Sequence, residues 1–158
     1  MSLYNMSKTV WGPPTWRLLH CMAIKAKDTM TYRQLEELKT LITRIVSNLP
    51  CPICSNHANN YFTKYSFKHI KSLTELIHFL FNFHNDVNVR TEKPKMTFDE
   101  HLLLYRQMDF ELVIKNMIYT YKQLNNTTVT MMLYSFHRQS VMKDVNNYFV
   151  QNHSLFNS

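Results

Sequence analysis

The chain has 158 residues, 45% of them hydrophobic, and a net charge of +7 from 18 basic and 11 acidic side chains. That balance suits one folded domain with its own core and excludes disorder along the whole chain. Its single glycine, Gly12, excludes Gly-rich phosphate loops and argues against a sheet with many tight turns, so an all-α fold is expected. No stretch of 18 apolar residues could cross a membrane, and the opening segment lacks a signal-peptide core. The three cysteines do not make a disulfide scaffold, and no basic run tracks one helix. The expectation is an intracellular protein with neither a membrane span nor a nucleic-acid face.

The first helix is predicted from Pro13 to Lys27, because proline suits an opening turn where its missing N–H is no loss. Trp16, Leu19, His20, Ala23 and Ile24 follow a helical stripe on one of its faces. A second helix covers Thr31 to Asn48, with Thr31 as N-cap and Leu35, Leu38, Leu41, Ile42, Ile45 and Val46 inward. The third runs from Cys51 to about Tyr65. The fourth spans Ser72 to Arg90, opened by a capping box between Ser72 and Glu75. Residues 91–96 form a connector broken by Pro94, and Thr97 with Glu100 caps a helix reaching Gln107. Two further helices are predicted over 110–124 and 128–150, separated by Asn125-Asn126-Thr127. The stretch after Met108 has no cysteine, tryptophan or glycine, which sets a boundary near that residue.

Cys51-Pro52-Ile53-Cys54 is the strongest local signal. Two thiols at i and i+3 on a first helical turn can close a disulfide on a suitable backbone. The free N–H groups and helix dipole there stabilise a thiolate, which suits dithiol–disulfide exchange. Zinc is the alternative: Cys51, Cys54, His57 and His84 could meet one ion if the third and fourth helices pack together. His78 and His84 cannot easily share an ion, because six residues along a helix turn them about 240° apart. A thioredoxin-like site would need a βαβ context that this helical periodicity does not supply.

Two more clusters stand out. In Phe83-His84-Asn85-Asp86-Val87-Asn88-Val89-Arg90, His84 and Asn88 share a helix face. In Trp11-Gly12-Pro13-Pro14-Thr15-Trp16, Gly12 permits close approach or an unusual dihedral, and Trp16 lies above His20. Taken alone, the first reads as a satisfied core histidine and the second as an aromatic anchor.

Together these elements resemble the Erv/ALR family of FAD-linked sulfhydryl oxidases. The pattern W-G-P-x-x-W-x-x-L-H, then C-x-x-C opening a helix, then H-N-x-V-N-x-R, follows the family's order and spacing over about residues 9–105. The resemblance implies a compact four- or five-helix bundle cradling FAD over residues 1–107, with 108–158 as a helical extension. It implies that Cys51 and Cys54 are the catalytic pair, Cys51 meeting the substrate and Cys54 facing the flavin. It also implies that Gly12, Trp16, His20 and Tyr61 line the flavin site, and that His84, Asn85, Val87 and Asn88 hold the adenine and ribose side. Arg90, Lys93 and Lys95 would face phosphate. The implied partners are a protein dithiol, such as a thioredoxin-like or viral redox protein, and O2, with H2O2 as product.

Departures from the family pattern are informative. Where R-L-G-K-P is common, the chain reads Arg90-Thr91-Glu92-Lys93-Pro94, and no second cysteine pair is present to act as a shuttle. Cys21 is expected to be a buried free thiol. The small cysteine set is similar to members encoded by large DNA viruses, which places the protein in the host cytoplasm or virion. The mitochondrial intermembrane space is the cellular alternative. In the extension, Val113, Ile114, Met117 and Ile118, with Met131, Met132, Leu133, Tyr134 and Phe136, are candidates for packing on the bundle or for a homodimer face.

Overall fold

The computed structural model describes the backbone of residues 3–124 and 129–158, and the side chains of 8–124 and 134–158. Among them are seven α-helices: α1 (Leu3–Ile24), α2 (Tyr32–Val46), α3 (Pro52–Lys64), α4 (Leu73–Arg90), α5 (Phe98–Arg106), α6 (Phe110–Lys122) and α7 (Val129–Asn152). No strand occurs among the described residues, and the one β-bridge pairs Ala26 with Phe156. The fold is all-α, as the glycine count and helical periodicity predict.

The first helix starts ten residues earlier than expected, and Pro13 and Pro14 lie inside it rather than at its opening. Each proline removes one backbone donor, and the helix nonetheless continues through both to Ile24. α1 is the central helix, packed against α4, α5 and α6. Burial therefore extends well beyond the predicted stripe, to Trp11, Thr15, Leu18, Cys21 and Met22. In α2 all six predicted inward residues are buried, and Lys39 is buried with them. Its ammonium donates to the carbonyls of Lys68 and Ile70 at 3.0 and 2.7 Å and meets Glu36 at 2.8 Å.

Helix starts follow their caps. Thr31 and Thr97 both make full capping boxes, with Gln34 and Glu100. At Ser72 only half of the predicted box forms: Oγ accepts from the Glu75 N–H, but the Glu75 carboxylate accepts from Lys71 instead. α4 ends in a Schellman turn. The Lys93 N–H reaches the Asn88 carbonyl at 2.7 Å, the Glu92 N–H reaches Val89 at 3.2 Å, and Glu92 carries a left-handed φ of 58°. This is the position where the family pattern has glycine. A side chain there costs roughly 1–2 kcal/mol, partly offset by the greater freedom of glycine in the unfolded chain. Glu92→Gly should therefore stabilise the protein by about 0.5–1 kcal/mol, raising Tm by about 2–3 °C in a thermal melt; an unchanged or lower Tm would contradict the strain.

The C-terminal helices pack back on the bundle. Phe110, Val113, Met117 and Tyr121 of α6 are buried, and the Tyr121 hydroxyl lies 2.7 Å from Thr15 Oγ1. Thr15 in turn donates to the Trp11 carbonyl at 2.6 Å. Ile114 and Ile118 are half-buried against the same core. α7 is fastened to α2 by Arg44, which pairs with Asp144 at 2.6 Å and donates to Ser140 at 3.2 Å. Tyr134 and Phe136 are exposed. Asn125, Asn126 and Thr127, and the side chains of Met131, Met132 and Leu133, lie outside the described residues.

Candidate functional site: a disulfide in the wall of an aromatic, cationic cavity

Pro50 breaks the chain after α2, and Cys51 becomes the N-cap of α3 with Pro52 following at the first helical position. Cys51 Sγ accepts the Cys54 N–H at 3.1 Å, and Ser55 Oγ accepts the Leu49 N–H at 2.9 Å, so the elbow is bonded to the helix it opens. Cys51 and Cys54 are joined in a disulfide with their Cα atoms 5.1 Å apart. With the sulfurs bonded to each other and His57 Nε2 held 3.1 Å from Asp86, the zinc set does not close around an ion. Among the described residues no group of three or more His, Cys, Asp and Glu side chains could hold a metal.

Cys54 lines a cavity of about 510 Å3 between α1, α3, α4 and α5, within the usual range for small-molecule sites. Its floor is aromatic. Trp16 stacks on His84 with ring centroids 3.8 Å apart and planes 6° from parallel, and tilts against Phe83 at 5.3 Å. Lys8, Arg17, Arg90 and Lys93 place cations around it. Glu92 is exposed and absent from this wall, because the Schellman turn brings Lys93 back to the cavity instead.

Of the residues the sequence singled out, Gly12, Trp16, Cys54, His84, Val87, Asn88, Arg90 and Lys93 line this one cavity. Gly12 is helical with no positive φ, which removes the unusual-dihedral reading. No atom lies within 4 Å of where its Cβ would stand. The other predicted residues lie elsewhere. His20 is buried behind the floor, its Nε2 2.8 Å from His84 Nδ1. Asn85 clamps the connector, donating to the Met96 carbonyl and accepting its N–H, both at 3.0 Å. Tyr61 faces a separate, open depression beside Tyr65, Lys95 is exposed, and Cys51 is buried. Sequence reasoning missed Lys8, Arg17, Leu49, Ile53, Leu104, Tyr105 and Met108 in the wall. Lys8 precedes Gly12 and Trp16 at four-residue spacing, a signal hidden by starting α1 at Pro13. Cys21 is the buried free thiol expected, and burial pushes it up to about 11.

Behind the floor, three imidazoles meet. His101 sits edge-on to His20 at 4.3 Å, and His20 is 5.0 Å from His84. His20 Nδ1 and His101 Nε2 are buried without hydrogen-bond partners. Burial, then the charges of His101 and Lys93, lowers His84 to about 4; burial, then His78, lowers His101 to about 4. His20 lies well below its ordinary value, chiefly through burial. In the unfolded chain all three titrate near 6.5, so between that pH and about 4 the unfolded state binds more protons. Stability should be level between about pH 7 and 8 and fall steadily from about pH 6.5 toward 4, read as the urea midpoint. His101→Gln should give a shallower fall, and an identical pH slope would refute this assignment.

These features define a class: an all-helical protein whose helix-capping disulfide shares a wall with an aromatic, cationic cavity. The model of the Erv1/Alr family matches residues 13–109, and the chain belongs to that family. It is 34% identical over 97 residues to a protein of African swine fever virus named FAD-linked sulfhydryl oxidase, covering 61% of this chain and 81% of that one. A protein of Invertebrate iridescent virus 3 that carries the same name provisionally is 32% identical over 93 residues, 58% of this chain and 63% of its own. No solved structure matches the chain. No described helix is long and apolar enough to cross a membrane.

Proposed function

We propose that this chain is an FAD-dependent sulfhydryl oxidase that forms disulfides in protein substrates through the Cys51–Cys54 pair, within the virus-infected host cell. The observation that carries this reading is the placement of Cys54 in the same wall as Trp16, His84, Arg90 and Lys93. The cavity fits FAD on its own chemistry. Stacked aromatic rings suit planar rings, and four cations suit a diphosphate. The open space at Gly12 admits a ligand close to the backbone, and the partnerless His20 Nδ1 sits directly behind the floor. Trp16, Gly12, His84, Val87 and Asn88 would hold the rings and ribose, and Arg90 and Lys93 the phosphates. Tyr61, Asn85 and Lys95 lie outside this wall and would act only indirectly, Asn85 by holding the 91–96 connector.

Bound FAD supplies a two-electron acceptor for the reduced pair and, in turn, reduces O2 to H2O2. The chain's own residues do the rest. Cys54 presents its sulfur to the cavity, and Cys51, at the helix cap, is left as the end that a substrate thiolate attacks. The first-turn N–H groups, with the Cys54 N–H already on Cys51 Sγ, stabilise negative charge there once the pair is reduced. Arg90 and Lys93 orient the anionic part of the ligand, and the Trp16–His84 floor fixes its plane. Residues 1–107 would form the oxidase unit, with 108–158 as an extension of it.

The test is the visible spectrum of the purified protein, with oxygen consumption on dithiothreitol. Flavin absorption with thiol-dependent oxygen uptake is expected. A protein that neither carries nor takes up FAD would overturn the reading.

A further inference from the structure

We infer that His57, held by Asp86, is the proton acceptor that keeps Cys54 ionised once the disulfide is reduced. This rests on the oxidase reading above and adds to it a residue that the cysteine pair and the cavity floor do not include.

The thiolate is the nucleophile, and an ordinary cysteine, titrating at about 8.5, is mostly protonated at neutral pH. Cys54 therefore needs a group beside it that takes its proton. His57 follows it by three residues on α3, so the two side chains lie about 60° apart around the helix, on one face. Helical side chains lean toward the N-terminus, which brings the imidazole over the turn that carries Cys54. Both residues line the same cavity.

The ring is held and its tautomer is set. Nε2 lies 3.1 Å from Asp86 Oδ2 on α4. A carboxylate only accepts, so Nε2 carries the hydrogen and Nδ1, the ring nitrogen beside the α3 backbone, keeps its lone pair. Phe83 and Tyr61 flank the ring, with centroids 6.1 and 6.4 Å away. The His57 and Asp86 side chains are 17% and 39% exposed. A pair this close to water adds little to stability, whereas it supports an imidazolium directly.

The charges around His57 come from Asp86 and Arg90 of α4 and Lys8 of α1. Burial, then Arg90, lowers the imidazole below its ordinary value, and Asp86 opposes them. The ring is therefore neutral at neutral pH and ready to accept. Tyr61 keeps its proton, pushed up to about 12 by burial and then by Asp86.

The step balances. The substrate dithiol gives up two electrons and two protons as its own disulfide forms. The electrons break the Cys51–Cys54 bond. One proton ends on Cys51 Sγ and the other on His57 Nδ1, leaving a Cys54 thiolate against an imidazolium that Asp86 steadies.

The test is the rate at which iodoacetamide alkylates Cys54 against pH, read by intact mass, in the full chain carrying Cys51→Ser. Cys21 is buried and does not compete. A thiol and an imidazole that share a proton titrate as a pair, so the rate should rise in two steps, at about pH 6 and above about pH 8. His57→Gln should remove the early step and slow the reaction about tenfold at about pH 6.5, the factor for a displacement of about one pH unit. Asp86→Asn should slow it about threefold there. The helix dipole acts equally in all three chains and cancels. Both changes are at water-accessible side chains, and thermal melts check the fold. A single rise in the parent chain, or an early step that survives either change intact, would overturn the assignment. If the two-step profile holds but flavin-loaded protein with both cysteines consumes no oxygen, the oxidase reading falls and the pairing of His57 with Cys54 stands.

Discussion

Cys54→Ser and Cys51→Ser should each lower thiol-dependent oxygen uptake by at least about a thousandfold, the scale seen when a covalent centre is removed. No other thiol can replace them. The third cysteine, Cys21, is fully buried, lies 3.8 Å from the Tyr105 carbonyl, and is pushed up to about 11 by that burial, so it is neither accessible nor ionised near neutral pH. The two variants should differ in a second way. With Cys54 gone, Cys51 remains to be captured by a substrate thiol as a stable mixed disulfide, since the sulfur that would resolve it is missing. With Cys51 gone, the remaining thiol faces the cavity, and capture by a peptide should be much weaker. Oxygen uptake and intact-mass analysis read both effects. Residual turnover above about one per cent of wild type in either variant would contradict the two-cysteine centre.

Trp16→Ala should weaken FAD binding about a hundredfold. The indole stacks on His84 at 3.8 Å and touches Phe83, so it supplies the main flat surface of the floor. An aromatic contact of about 1 kcal/mol and a buried ring face of about 2 kcal/mol add to roughly 3 kcal/mol, or two decades of affinity. The same change also removes core packing, because Trp16 is half-buried against the cluster that holds α1 to α4. The measurement is therefore FAD titration of the refolded apoprotein, with its melt recorded alongside. Trp16→Phe, which restores a ring, should recover most of the affinity. Wild-type FAD affinity in Trp16→Ala would mean that the ligand sits elsewhere.

The parts of the fold that were readable from sequence are those decided within one helical turn. Thr31, Ser72 and Thr97 each cap a helix through a bond to the N–H three residues on, and Cys51 does the same with sulfur. The α2 stripe was readable because one face of that helix meets the core. α1 was not, because it is central: with α4, α5 and α6 all packed on it, it has no single apolar face, and its two prolines imitate a start. The buried Lys39 was equally hidden, since its carbonyl partners come from Lys68 and Ile70, about thirty residues away. The site divides in the same way. Trp16, His84, Asn88, Arg90 and Cys54 carry recognisable spacings, whereas Leu104 and Met108 complete the cavity from a distant segment with no spacing of their own.

By itself, then, the sequence determined the helical class, the Cys51–Cys54 spacing at a helix start, and the family, since each rests on short spacings of chemically distinctive residues. Tertiary structure alone decided that Cys54 faces the cavity while Cys51 is buried. It also placed Asn85 and Tyr61 outside the cavity wall, and packed α7 against α2 and α6. Those outcomes depend on which helix faces meet across the bundle, and such contacts are set by packing of the whole core rather than by any local run of residues.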